Sequence, residues 1–149
     1  MGWLDRLQGK TVAIDTAPFI YYFEDHAVFA ALLHPFFSEL ESGQVKAVTS
    51  VISLIEVLVH PLRHGDEKLA SQYHDALLSH PHSTTIPVDY SIAQLAAELR
   101  AEQNLKTPDA LQLATALKAN AECILTNDRD FGDTEGIEIL TLRELAKSP

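Results

Sequence analysis

Four acidic residues occupy positions in the sequence where carboxylates can bind a metal ion or take part in catalysis. Asp15 ends a short apolar run, Asp109 follows a Thr-Pro pair, and Asp128 lies just beyond another apolar run. Glu56 interrupts the aliphatic stretch 51–59, so it lies either on the one exposed stripe of a helix or in a polar site. Carboxylates at close range repel each other and retain protons unless a cation lies between them. An all-oxygen set of ligands favours Mg²⁺ or Mn²⁺ over zinc.

Each acid also has a purely structural explanation when it is taken singly. The helix macrodipole alone accounts for Asp109 in a first helical turn. Asp128 is equally a turn residue or a helix cap, and Asp15 is equally an ordinary residue at a strand end. The four acids together are harder to explain in this way, because three lie near one predicted sheet edge and Glu56 interrupts an apolar helix. The combination therefore predicts a divalent-metal site.

Short apolar segments alternate with helical patterns along the whole chain. The segments that predict strands are 11–15, 46–49, 84–88, 121–126 and 137–140, and helical patterns include 27–42, 66–79 and 108–120. This alternation predicts an α/β fold, a three-layer α/β/α sandwich with a mainly parallel central sheet of about five short strands. Ligands of such folds bind outside the carboxyl ends of the strands, where Asp15 and Asp128 are expected.

Several residues are expected to begin or end the helices. Thr16, two residues before Pro18, and Thr107, directly before Pro108, are predicted helix N-caps. Ser50 is the predicted cap of the helix that follows the second strand. Pro35 lies inside the helical pattern 27–42, so a kink or a break is expected there. Pro61 is expected to end or kink the helix that begins after Ser50.

The helical pattern 27–42 carries a wide apolar arc. One compact row and its two flanks contain Phe29, Leu32, Leu33, Phe36, Phe37 and Leu40. A helix that is wet on one side needs an apolar arc of only about 100°. The surplus predicts either a fully internal helix or a helix that offers Phe37 to a partner protein.

Length and composition limit the class of protein. The 149 residues, of which 46% are apolar and 21% charged, predict one globular domain over residues 1–149 and disfavour disorder, collagen and coiled coils. No apolar run approaches the roughly 20 residues that span a bilayer, and the first ten residues lack the apolar region of a secretory signal. The single cysteine, Cys123, excludes an internal disulfide and a multi-thiolate metal site. We therefore expect a cytoplasmic protein with no membrane partner.

The charge balance is strongly acidic. Eleven lysines and arginines against 21 acidic residues give a net charge of −10, which disfavours broad binding to a phosphate backbone. One interpretation is a solvated acidic surface that keeps the protein soluble. The other is that some carboxylates converge on a cation. Composition alone does not choose between these interpretations.

Four sequence blocks resemble a known protein family. They are 14–16 (IDT), 53–57 (SLIEV), 107–116 (TPDALQLATA) and 125–131 (LTNDRDF). They resemble PIN domains and, more narrowly, the VapC-type toxins of bacterial and archaeal toxin–antitoxin pairs. The resemblance covers roughly residues 10–145 in the family's order, and the last two blocks are specific when they occur together.

The resemblance implies a metal-dependent endoribonuclease with a PIN-like fold. The family's acidic quartet falls on Asp15, Glu56, Asp109 and Asp128, which are implied to be the catalytic residues and the ligands of Mg²⁺ or Mn²⁺. The three aspartates are the best candidates for direct ligands, whereas Glu56 binds directly, binds through water or acts as a base. The implied partners are an RNA substrate, a cognate antitoxin that covers the site, and a second copy in a homodimer.

Three further residues lie beside this quartet. Thr126 and Asn127 are expected to position Asp128 through side-chain hydrogen bonds. Asp130 is a reserve acid for the metal site.

Two other classes of function remain open. One is a PIN-like binding module with weak or no catalytic activity, which works in an RNA-processing assembly; the intact quartet favours the nuclease. The other is a phosphotransfer receiver domain, which also gathers acids beside Mg²⁺. A receiver domain needs paired acids after its first strand and a lysine late in the chain, but here Asp15 alone ends that strand.

Overall fold

A five-stranded parallel sheet forms the centre of the protein. The computed structural model describes residues 2–147, so both ends of the predicted domain, residues 1 and 149, lie outside the described part. The strands are β1 (Thr11–Ile14), β2 (Lys46–Ser50), β3 (Ser83–Ile86), β4 (Cys123–Thr126) and β5 (Glu138–Thr141). Their order across the sheet is β3-β2-β1-β4-β5, and every pair of neighbours is parallel.

Helices cover both faces of this sheet. They are α1 (Thr16–Phe23), α2 (Phe29–Ser42), α3 (Val51–His64), α4 (Glu67–Leu78), α5 (Tyr90–Glu102), α6 (Thr107–Lys118) and α7 (Leu142–Lys147), preceded by a 3₁₀ turn over Trp3–Leu7. The predicted three-layer α/β/α sandwich is thereby confirmed. Within residues 2–147, every helix is too short or too polar to cross a membrane.

The alternation of side chains along the strands divides the core into two parts. Val12 and Ile14 of β1 face a core rich in aromatic residues, which also contains side chains of α1, α2 and α4. Ala13 faces the opposite core, which is built largely from the alanine and leucine side chains of α5 and α6. Small side chains such as Ala110 and Ala114 let α6 lie close to the sheet.

The strand order creates a crevice between β1 and β4. From β1 the chain proceeds outward through β2 to β3, and it then returns to form β4 and β5 on the other side of β1. The connections after β1 and β4 therefore diverge, which leaves the carboxyl ends of these two strands open to solvent. Ile14 pairs with Leu125, and the backbone N–H of Asp15 donates to the Leu125 carbonyl at 3.0 Å. Asp15 thus lies directly beside the end of β4.

Two predicted helix caps are displaced by one residue. Asp15, not Thr16, is the N-cap of α1, and its carboxylate accepts from the Thr16 N–H. Lys106 holds the N-cap position of α6, so Thr107 already lies within the helix. Pro18 and Pro108 still lie in the first turn after this shift. Proline costs no hydrogen bond there, because the N–H groups of a first helical turn lack an intrahelical partner. The predicted cap at Ser50 is confirmed, since its hydroxyl accepts from the Ile52 N–H at 3.2 Å.

Neither internal proline ends its helix. Both α2 and α3 continue, through Pro35 and Pro61 respectively. Pro35 and the preceding-turn residue Ala31 are both exposed, so water can solvate the carbonyl that the proline leaves unbonded. The two helices end instead at Gly43 and Gly65, whose φ angles of 84° and 65° suit glycine.

The wide apolar arc of α2 belongs to the core. Phe36 is fully buried, Phe37 is 8% exposed, and the ring of Phe37 stacks on Tyr22 with ring centroids 4.2 Å apart. The burial of Phe37 favours the interpretation of an internal helix, and the part of its ring that remains accessible lines a cleft that α1 and α4 also line. Both α1 and the 3₁₀ turn pack against this arc: Tyr22 of α1 stacks on Phe37, and Trp3 of the 3₁₀ turn stacks on Phe36.

We expect Phe37→Glu to unfold the protein. A carboxylate among these rings would be buried without a partner, at a cost of about 4 kcal/mol or more. Leu78→Glu makes the same change on α4 at a side chain that is 50% exposed, and should cost less than about 0.5 kcal/mol. Urea denaturation followed by circular dichroism measures both values. A Phe37→Glu protein as stable as Leu78→Glu would show that this face of α2 is not core.

Candidate active site

Asp15 lies at the centre of the crevice and is held from two sides. It is 8% exposed, and its carboxylate accepts from the Thr16 N–H at 2.8 Å and from the Thr126 hydroxyl at 2.7 Å. Burial raises the pKa of Asp15 above its ordinary value, and the hydrogen bonds from Thr126 and Thr16, which lower it, do not offset that effect. The nearby Glu56 and Asp128 carboxylates raise it further.

A single hydroxyl joins Asp15 to the loop that carries Asp128. Thr126 Oγ1 donates to Asp15 and accepts from the Asp128 backbone N–H at 3.0 Å. The predicted role of Thr126 in positioning Asp128 is confirmed. Asn127 acts elsewhere: its side-chain oxygen accepts from the Arg143 N–H at 3.2 Å, which ties the loop after β4 to the start of α7.

Three carboxylates form a tight group at the mouth of the crevice. Asp109, Asp128 and Asp130 each place a carboxylate oxygen within 4.8 Å of the other two. The Asp130 N–H also donates to Asp128 at 2.8 Å, which fixes the turn between them. Asp130, which the sequence offered only as a reserve acid, thus joins two of the four predicted site residues.

The pKa of Asp109 shows how crowded this group is. Desolvation raises it to about 7, with further contributions from the charge of Asp128, a hydrogen bond with Asp128, and the charges of Asp15 and Asp130. The carboxyl of Asp109 therefore keeps its proton up to about pH 7 and is roughly half protonated there when no cation is bound. A cation that replaced this proton would relieve the repulsion.

Glu56 lies at the rim of the crevice, outside the tight group. It is exposed on α3, and its Oε1 accepts from the Thr16 hydroxyl at 2.6 Å. The structure nevertheless brings all four predicted acids into one cleft of about 540 Å³, which Asp15, Glu56, Asp109 and Asp128 line together.

The chemistry of these ligands fits a hard divalent cation. The site offers carboxylate oxygens, and neither cysteine nor histidine lies among its lining residues within the described chain. Oxygen ligands of this type suit Mg²⁺ or Mn²⁺. Such an ion would be held by Asp109, Asp128 and Asp130, whose carboxylates lie together, and Asp15 is near enough for its charge to raise the pKa of Asp109.

Comparison with known families gives an independent test of this interpretation. The family model described as the PIN domain matches residues 12–137, a range that contains all four predicted acids. The chain belongs to the PIN-domain family. A comparison with curated protein sequences gives no match.

Solved structures similar to this PIN domain come from toxin–antitoxin systems. A toxin–antitoxin complex from Klebsiella pneumoniae contains a chain that is 25% identical, with a TM-score of 0.64 and coverage of 85% of this chain and 94% of that one. VapBC2 from Rickettsia felis, bound to a promoter DNA fragment, gives 18% identity, a TM-score of 0.65 and coverage of 88% and 98%. Mycobacterium tuberculosis VapC20, described as a toxin that cleaves the sarcin-ricin loop, is 18% identical with a TM-score of 0.59. The match covers 84% of this chain and 92% of that one. This PIN domain therefore has a VapC-like fold.

Sequence reasoning missed three polar residues around the site. Arg143 lines the cleft although it lies in α7, and Ser53 and Gln112 are buried beneath Glu56 in hydrogen-bond contact with each other. Ser53 and Gln112 stand within the family-like blocks, where polar residues among apolar ones are a usable signal. Arg143 carries no such signal, because only the fold brings α7 to the cleft.

The raised pKa of Asp109 makes the stability of the metal-free PIN domain depend on pH. Its ordinary value is 3.8 and its folded value about 7, so between these the folded state binds more protons than the unfolded state. The free energy of unfolding should therefore fall as pH rises from about 4 to 7. Asp109→Asn removes this effect. At pH 8 in EDTA it should stabilise the protein by about 1–2 kcal/mol, less than the full shift gives, because the side chain is partly solvated.

Thermal and urea unfolding across this pH range provide the measurement. Asp133→Asn is the control, since Asp133 is an exposed acid of the same segment outside the tight group. An Asp109→Asn protein with the same pH dependence as wild type would contradict the crowding that the structure shows.

Proposed function

We propose that this PIN domain is a Mg²⁺- or Mn²⁺-dependent endoribonuclease and the toxin of a type II toxin–antitoxin pair. In this proposal residues 1–149 act as one domain in the cytoplasm, where RNA and an antitoxin are made. The observation that carries it is the meeting of Asp15, Glu56, Asp109 and Asp128 in one cleft. The Klebsiella chain, which comes from a toxin–antitoxin complex, and the RNA-cleaving VapC20 support the same function.

The proposed mechanism divides the acids into two groups. When bound, Mg²⁺ or Mn²⁺ would supply a water of lowered pKa and neutralise charge on the phosphoryl oxygens. Asp109 and Asp128 would hold the ion, and Asp15 would add a negative charge beside it, with its carboxylate fixed by Thr16 and Thr126. Glu56 would accept the proton of the attacking water.

The position of Glu56 supports its proposed role as a base. It lies outside the tight carboxylate group, and the Thr16 hydroxyl occupies Oε1. Its Oε2 has no hydrogen-bond partner among residues 2–147, so this atom is available to a water in the cleft.

Two arginines support an RNA substrate despite the acidic net charge. Arg129 and Arg143 line the cleft beside the carboxylates, and both are exposed. In the described part of the chain neither forms an ion pair, whereas Arg6 pairs with Glu138 at 3.5 Å. In the proposal these guanidinium groups bind the phosphates on either side of the cut, and Tyr21 in the cleft wall offers a ring for a base.

A second cleft supports the proposed antitoxin contact. It has a volume of about 450 Å³, and Phe19, Tyr22 and Phe23 are among its lining residues. Glu41 and Asp75 add carboxylates to the same lining. An antitoxin segment with apolar side chains between basic ones would match this cleft in both shape and charge.

An exposed apolar stripe on α3 supports the proposed homodimer. Ile55, Val59 and Leu62 are 59%, 40% and 68% exposed, and their spacing of four and three residues places them on one side of the helix. A two-fold interface uses the same patch of both subunits, so a stripe along one helix can pack against its own copy.

The alternative function is an RNA-binding PIN module that does not cleave. Such a module would retain the fold and the two arginines of the cleft but would not cleave RNA. Cleavage of RNA by the wild-type protein in Mn²⁺, and its absence in EDTA, separates the two functions directly.

Asp15→Asn should abolish cleavage and relieve growth inhibition. The change removes a charge next to the ion while it keeps the cap of α1, and a loss of several kcal/mol of transition-state stabilisation corresponds to at least about a 100-fold lower rate. Asp89→Asn is the control, because Asp89 is the N-cap of α5, where its carboxylate accepts from the Ile92 N–H, and it lies outside the cleft. Near wild-type cleavage by Asp15→Asn would refute the assignment.

Leu62→Glu should convert the dimer to a monomer. Multi-angle light scattering at equal concentration gives the mass, and circular dichroism should show an unchanged fold since the side chain is 68% exposed. Leu78→Glu serves as the control, because Leu78 is exposed on α4 away from the stripe. A Leu62→Glu protein of dimer mass, or a wild-type monomer, would rule out this interface.

A further inference from the structure

A buried glutamine one turn beyond Asp109 connects the helices around the cleft. Gln112 lies in α6 and is 3% exposed, and burial of an amide costs free energy unless the amide is hydrogen-bonded. Its Nε2 donates to Ser53 Oγ on α3 at 2.7 Å and lies 3.5 Å from Thr16 Oγ1 on α1. Gln112 therefore reaches the two residues that lie directly beneath Glu56.

The number of available protons fixes the direction of these hydrogen bonds. Each hydroxyl has one proton to donate. Thr16 donates its proton to Glu56, because a carboxylate only accepts. Ser53 must then donate in the 2.9 Å contact between the Ser53 and Thr16 hydroxyls. The resulting chain starts at the Gln112 amide and passes through Ser53 and Thr16 to the Glu56 carboxylate.

Thr49 borders this chain but does not replace its first donor. Its hydroxyl donates to the Ile14 carbonyl oxygen at 2.6 Å and, at the longer distance of 3.0 Å, to Ser53 Oγ. One proton serves both contacts, so the shorter bond to the carbonyl takes most of it. Gln112, at 2.7 Å, is thus the stronger donor to Ser53.

We propose that Gln112 is a positioning residue for Glu56, acting through Ser53 and Thr16. The proposal rests on the function proposed above, in which Glu56 accepts a proton from water. Without the amide, Ser53 Oγ keeps only the shared proton of Thr49, and Thr16 can turn its own proton from Glu56 toward Ser53. Glu56 would then lose its donor, and an exposed side chain with no other bond among residues 2–147 would rotate freely.

Gln112→Met tests the proposal because it keeps an unbranched side chain of similar length and removes the donor. We expect the kcat for RNA cleavage to fall by about 10- to 100-fold with KM unchanged, since misplacement of a reacting group lowers rate rather than binding. Thr115→Val is the matched control. Thr115 is buried on the same helix, but its hydroxyl donates to the Leu111 carbonyl of that helix, so kcat should not change.

Glu56→Gln provides the background that separates positioning from packing. In this background Gln112→Met should cause no further loss, because the group that it positions is already inactive. A further tenfold loss, or an equal loss in Thr115→Val, would overturn the proposal. A Glu56→Gln protein that cleaves like wild type would instead overturn the role given to Glu56 under the proposed function.

A crystal structure of metal-free Gln112→Met gives a result that does not depend on activity. We expect Glu56 Oε1 to lie more than about 3.5 Å from Thr16 Oγ1, beyond hydrogen-bond distance. An unchanged contact of 2.6 Å would overturn the proposal. If Gln112→Met does not fold, Ser53→Ala breaks the same chain at its next link. It should show the same loss of kcat and the same displacement, and a wild-type result there would overturn the proposal equally.

Discussion

Carboxylates that share a poorly solvated cleft cannot all carry charge unless another group compensates them. In this protein that constraint acts on Asp109 most clearly, since desolvation and the neighbouring Asp128 raise its pKa to about 7. Asp15 responds in the same direction although two hydrogen bonds favour its charged form. A compact group of acids in this condition is a site that a divalent cation would stabilise. The parallel sheet, the crevice between β1 and β4 and the polar residues beneath the cleft together hold that group in place.

The fold supplies the acids from separate elements with little freedom of movement. Asp15 follows β1 and Asp128 follows β4, and these strands are neighbours in register. Asp109 opens α6, whose small side chains keep it near the sheet. Five acids gather in or beside the cleft, and many of the other acids that give the net charge of −10 are exposed. Arg129 and Arg143 place positive charge at the one region where a phosphate would approach the acids.

Much of the fold could be predicted because buried parallel strands are short apolar runs and helices show their period. The meeting of Asp15 and Asp128 followed from the rule that strand ends share an edge. Asp130 was harder to place, because the turn that brings it to Asp128 depends on one hydrogen bond from its own N–H to the Asp128 carboxylate. The sequence left Phe37 open between the core and a partner surface, because periodicity does not reveal how many neighbours a helix has. The structure packs the apolar surplus of α2 against α1 and the 3₁₀ turn. Gln112 and Arg143 needed tertiary contacts that no local pattern contains.

A crystal grown with Mn²⁺ shows whether the carboxylate group forms a cation site. Anomalous scattering from manganese locates the ion without reference to activity, RNA or an antitoxin. We expect an anomalous peak bound by carboxylate oxygens of Asp109 and Asp128, with Asp15 and Asp130 beside it. A peak bound elsewhere, or no peak at saturating Mn²⁺ while the four carboxylates keep their places, would contradict this expectation.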